Sequence, residues 1–187
     1  MNALNYEINK ELGECYLFMG EMDKAEEYYQ KACSSNGSHA DPYLGLATIY
    51  IHRQDLQKAK SYYEKALEIE PENDKALAGL GLLAVENGDQ EQAFSFFKKA
   101  LDLNPQNIVA IYGLVQAAYS LDKIDEIITY LRNYLVLDPG NVEVRYTLAG
   151  CLYSLGQKKQ ALDELNHILQ MDPTNKNALE LIEKIKN

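Results

Sequence analysis

Four prolines, Pro71, Pro105, Pro139 and Pro173, stand 34 residues apart in a chain that has only one other. The residues around them agree as well: EIEPEN, DLNPQN, VLDPGN and QMDPTN. A fixed period of this length marks a stack of small structural units, not one closed core. Counting back from the prolines predicts five repeats, 6–39, 40–73, 74–107, 108–141 and 142–175, without insertion or deletion. The remaining segment, 176–187, places Ala178, Leu179, Ile182 and Ile185 on one helical face, as expected of a helix that caps the last repeat. The expectation is therefore a single domain spanning 1–187.

Within the repeat frame the seventh position is Leu12, Leu46, Leu80, Leu114 and Leu148, and the eighth is mostly small: Gly13, Ala47, Gly81, Val115 and Ala149. The twentieth is Ala25, Ala59, Ala93, Ile127 and Ala161, and the twenty-fourth is Tyr29, Tyr63, Phe97, Leu131 and Leu165. Positions 4, 7, 8 and 11 follow one helical face, and 20, 24, 27 and 28 follow another. Each repeat is thus a pair of helices. Gly20, Gly88 and Gly156 supply the tight turn between them. The proline stops the second helix, and Asn73, Asn107, Asn141 and Asn175 stand where the next helix needs a capping oxygen. A glycine inside a helix costs up to about 1 kcal/mol against alanine, so Gly13 and Gly81 are expected where a neighbour comes close. In the fourth repeat Val115, Ile127 and Tyr134 replace small residues, which predicts wider spacing or a different crossing there.

These small and large positions, with the closing proline, resemble the tetratricopeptide repeat family over nearly the whole chain. The resemblance implies an all-α fold, an α-solenoid in which antiparallel helix pairs wind into a right-handed superhelix. It also implies a protein-protein interaction module, with a concave groove lined by positions 2, 5, 9, 12 and 13 of the first helices.

Composition narrows the partners. A net charge of −10 disfavours nucleic acid and anionic membrane surfaces. The longest charge-free apolar stretch, 108–121, is interrupted by Gln116 and falls short of the roughly 20 residues a membrane span needs. MNALNYEINKE has no basic n-region and no apolar h-region, so no secretion signal is expected, and the three cysteines, Cys15, Cys33 and Cys151, form no paired motif. Free thiols in a cytoplasmic setting, or on the cytoplasmic face of a membrane assembly, are expected. Asn36-Gly37-Ser38 matches a glycosylation acceptor only at chance level.

Catalytic chemistry is not expected. His39, His52 and His167 are scattered without metal-ligand spacing, and Gly79-Leu80-Gly81 lies within a helix and follows no strand. No metal or cofactor is expected.

The partner surface is expected on the inner wall. The family's groove positions are Val109, Tyr112, Gln116, Tyr119 and Ser120 in the fourth repeat, and Glu143, Tyr146, Gly150, Tyr153 and Ser154 in the fifth. Tyr112, Tyr119, Tyr146 and Tyr153 are predicted to form one aromatic patch, with Gln116 in its row and a hollow at Gly150. Tyrosine offers contact area and a hydrogen-bonding tip at low entropic cost. Leu82 and Lys75 of the third repeat are further candidate contacts.

The net charge by repeat is −4, −2, −2, −2 and −1, with +1 for the tail, so acidity gathers at the front. Chaperone-binding family members hold a C-terminal carboxylate in a lysine, asparagine and arginine clamp. Lys10 and Lys75 match it, but Glu14, Gly45 and Gly79 do not, so no recognition of acidic chaperone tails is expected.

Three functions follow from the resemblance. The first is an adaptor or scaffold that holds a peptide or helix in the groove. The second is a self-assembling homo-oligomeric scaffold of a bacterial assembly of the pilus, secretion or magnetosome type. The third is the repeat portion of a larger enzyme.

Overall fold

A computed structural model describes residues 2–35 and 38–187, with side chains described from residue 4 onward; the first two positions of Asn36-Gly37-Ser38 lie outside the described residues. Eleven helices follow one another among the described residues: α1 (Asn2–Phe18), α2 (Met22–Ser35), α3 (Asp41–His52), α4 (Leu56–Ile69), α5 (Asp74–Glu86), α6 (Gln90–Leu103), α7 (Ile108–Leu121), α8 (Ile124–Leu137), α9 (Val142–Ser154), α10 (Lys158–Met171) and α11 (Lys176–Lys186). Each packs on the next in chain order, and α1 on α3 and α5 on α7 also touch, so the core is a continuous α-solenoid.

The ends of the helices follow from local chemistry. The side chains of Asn73, Asn107, Asn141 and Asn175 accept from the backbone N–H three residues on, at 2.9–3.0 Å, which caps α5, α7, α9 and α11. Asp55 and Asp89 cap α4 and α6 in the same way. The turn within every repeat contains one left-handed residue. It is glycine at Gly20, Gly88 and Gly156, with φ of 73–77°, but Gln54 and Asp122 hold the same conformation at φ 60° and 57°. The glycine pattern therefore showed three of these five turns, and the other two reach the same geometry with a side chain present.

The interior is organised by the ring at position 24. Tyr29 lies against Gly13 of its own repeat and Gly45 of the next. Tyr63 fills the corresponding place at Gly79, and Phe97 is held between Gly81 and Gly113. A Cβ on any of these five glycines would sit inside van der Waals contact with the ring. Gly13 and Gly81 thus admit a ring of their own repeat, while Gly45, Gly79 and Gly113 admit one from the preceding repeat. The pairing ends where the ring ends: the fourth repeat has Leu131 at this position, and the following repeat has Thr147 where glycine stood before.

The fourth repeat is the loosest pair. Contact between α7 and α8 is the sparsest within any repeat. Ile127 and Tyr134 are buried there, where most other repeats carry alanine. The extra volume keeps the helices apart. At the C-terminal end α11 buries Ala178 and Ile185 against the stack, while Leu179 stays exposed.

Candidate peptide-binding groove

Among the described residues, four hollows lie along the first helices, and a further one sits on α2 between Glu27 and Ser35. One, of about 440 Å³, is lined by Lys75, Ala78 and Leu82 of α5 and by Val109 of α7. A second, of about 640 Å³, lies between Ile51 of α3, Leu82, Val85 and Glu86 of α5, and Gln116 of α7. A third runs from Glu14 and Leu17 of α1 across Asp41, Leu44 and Thr48 of α3 to Lys75. These residues occupy the positions expected to form the inner wall. Leu82 is 40 % exposed and Val109 44 %, so the middle of this wall is apolar and open to solvent.

Two elements of the wall were not apparent in the sequence. The Tyr63 ring packs at Gly79 and lines two of these hollows. Tyr29 does the same at Gly45. The signal was the glycine at position 6 following each ring at position 24. It also explains the missing clamp, because a side chain at residue 45 or 79 would strike a ring. The helix α11 adds a sixth row, since Asn177 and Lys184 occupy positions 2 and 9 of the same frame.

The tyrosines are oriented by the helix that follows. Tyr112 is 38 % exposed and donates its hydroxyl hydrogen bond to Glu143 Oε2 at 2.9 Å. Burial, together with the carboxylate it faces, pushes the Tyr112 phenol up to about 12, so it remains a donor at neutral pH. Tyr119 is 47 % exposed, and its hydroxyl lies 3.3 Å from Ser154 Oγ. Tyr146 and Tyr153 are half-buried against the core, and the Lys184 ammonium sits 5.8 Å from the centre of the Tyr153 ring. The four rings do not stack on one another. The stacked aromatic pairs among the described residues are Tyr6 with His39, Tyr16 with Tyr28, and Tyr50 with Tyr62. The two α7 tyrosines, Tyr112 and Tyr119, have their hydroxyls tied to α9.

Gln116 of α7 is exposed, and a Cβ at Gly150 would meet nothing within 4 Å. Lys75 is exposed beside Leu82. Among the described residues no cluster of three or more His, Cys, Asp or Glu side chains comes together. No helix among them is long and apolar enough to cross a membrane.

Profiles of the tetratricopeptide repeat match residues 7–39, 38–106 and 123–185. The chain belongs to the tetratricopeptide repeat family. The part of a repeat that these profiles leave out is 107–122, the segment of α7 that carries Tyr112, Gln116 and Tyr119. Among curated proteins no sequence match is found.

Solved structures agree on the fold. The tetratricopeptide protein YrrB, described as having an unusual peptide-binding site, superposes with a TM-score of 0.68 at 22 % identity, covering 94 % of this chain and 90 % of its own. The pilF protein of Pseudomonas aeruginosa gives 0.78 at 22 % identity, over 98 % of this chain and 84 % of that one. MamA gives 0.67 at 18 % identity, over 89 % and 91 %. Tetratricopeptide repeats are in general interaction modules, and this chain is one of them in architecture.

Proposed function

We propose that this tetratricopeptide protein is a cytoplasmic adaptor that holds an extended or helical peptide of a partner along the first helices. The observation that carries the reading is the run of hollows on α3, α5 and α7, whose apolar floor at Leu82 and Val109 leads into Tyr112 and Tyr119. Exposed aromatic and aliphatic groups beside concave space are what a peptide side chain requires. YrrB, which shares the fold, is itself described as peptide-binding, which supports the same use of the scaffold.

The test is selection of peptides from a randomised twelve-residue display library on the immobilised protein. The affinity of the selected peptides is then measured for the wild type and for the variant in which Tyr112, Tyr119, Tyr146 and Tyr153 are all alanine. The expected result is loss of binding by at least about a hundredfold, as hot-spot tyrosines give, with the helical circular dichroism retained. Unchanged affinity in a folded variant rejects the groove as the site.

A second reading, self-association through the ends of the stack, is favoured by Leu4 and Ile8 of α1, both exposed, and by Leu179 on α11. Head-to-tail contacts of that kind extend with concentration. Light scattering over a concentration series separates the readings, because the adaptor stays at its monomer mass.

A further inference from the structure

A hollow of about 480 Å³ opens between α7, α9 and the start of α11, lined by Tyr112, Glu143, Tyr146, Thr147 and Asn177 among others. Its chemistry is unlike that of the hollows further forward. Two tyrosines and a single carboxylate line it, and no lysine or arginine does. Glu143 is exposed and accepts from the Tyr112 hydroxyl through one oxygen only. Neither of its oxygens meets a cation among the described residues. The nearest basic residue in sequence, Arg145, is committed elsewhere, to Glu164 at 2.6 Å and to the Pro139 carbonyl at 2.8 Å. The Thr147 hydroxyl is spent on the Glu143 backbone carbonyl, and Asn175 caps α11.

We infer that this hollow receives a cationic side chain, arginine or lysine, from the bound peptide. The inference rests on reading the inner wall as a peptide groove, and it assigns the occupant of one end. An ammonium or guanidinium here gains the free Glu143 oxygen and the faces of Tyr112 and Tyr146 together. Arginine fits best, since its planar group stacks on a ring while its fork meets a carboxylate. The protein makes a cation and ring contact of its own two turns further along α9, where the Lys184 ammonium lies 5.8 Å from the centre of the Tyr153 ring. The Tyr112 hydroxyl holds the carboxylate in place before any ligand arrives. The chain as a whole carries −10, which draws basic segments toward it. The two other ring hollows on the wall, one over Tyr63 and Leu82 and one over Tyr29 and Tyr63, have no such carboxylate-and-ring pair without a cation, because Lys75 lines both.

The test uses the selected peptides and three forms of the full chain: wild type, Glu143→Gln and Glu143→Lys. The wild type is expected to enrich lysine or arginine at one fixed peptide position. Replacing that residue by alanine in the peptide, or Glu143 by glutamine in the protein, is expected to weaken binding by about two- to fivefold, the range of an exposed cation and ring contact. The two changes together cost no more than either alone. Glu143→Lys is expected to select acidic residues at the same position. Peptides that need the tyrosines of the groove but carry no preferred cation would overturn the assignment and leave the groove standing. Equal affinity of an arginine peptide for wild type and Glu143→Gln would overturn it too. Peptides that bind the four-tyrosine variant unchanged would overturn the groove, and this pocket with it.

Discussion

At the residue scale the protein is governed by where a Cβ is allowed. Gly79 and Gly113 admit a ring from the preceding repeat, whereas Gly150 faces open space in the same kind of helix. Gly79→Ala is therefore expected to cost about 1–3 kcal/mol through overpacking against Tyr63. Gly150→Ala is expected to raise stability by up to about 1 kcal/mol, as alanine does in a helix, while weakening peptide binding by filling the hollow. Urea unfolding of both variants, with peptide titration of the second, checks the pair. The left-handed turn residues give a separate expectation. Gln54 has the conformation that glycine has in three sister turns. Gln54→Gly should stabilise by roughly 0.5 kcal/mol, part of the steric relief being returned as chain entropy. Asp122→Gly should gain less, since aspartate tolerates this region better. The urea midpoints of the two variants, read against the wild type, test the order.

At the element scale, the helix pairs and their ends were legible because capping and helical spacing are local. Asn73, Asn107, Asn141 and Asn175 sit one residue before four first helices, and all four make the bond their position implies. The ring-to-glycine pairing was not legible, because it joins residues 16 positions apart in different helices: Tyr29 with Gly45, Tyr63 with Gly79, Phe97 with Gly113. Helix joints also respond to pH. Glu70, just past α4, accepts from the Ala40 backbone N–H at 3.1 Å and from the Asn73 side chain at 3.0 Å. These bonds, the Ala40 one foremost, hold its carboxyl below the ordinary glutamate value. The joint therefore contributes fully above the unfolded value of about 4.3, and that contribution is lost as pH falls through the lower folded value. Thermal melting from pH 7 down to about pH 3 should show a stability gap between wild type and Glu70→Gln that narrows on the acid side only.

At the scale of the whole molecule, a period of 34 residues decided the solenoid, and its family is the one the repeat pattern resembles. The inner wall was less legible. Its front half has a floor of tyrosines belonging to second helices, seen only once Gly45 and Gly79 are known to be windows. Its far end is completed by Asn177 of a helix that reads, by sequence, as a cap. The four tyrosines of α7 and α9, expected as one patch, do not stack on one another, and the hydroxyls of Tyr112 and Tyr119 are bound to α9. Hydroxyl partners across repeats cannot be read from spacing along one helix.

The most direct measurement is amide hydrogen exchange of the full chain with and without a saturating selected peptide. Binding along the inner wall predicts slowed exchange in α5, α7 and α9, strongest around Tyr112 and Tyr146, with α6, α8 and α10 unchanged. Protection confined to those second helices, or to α1 and α11 at the two ends of the stack, would contradict the account.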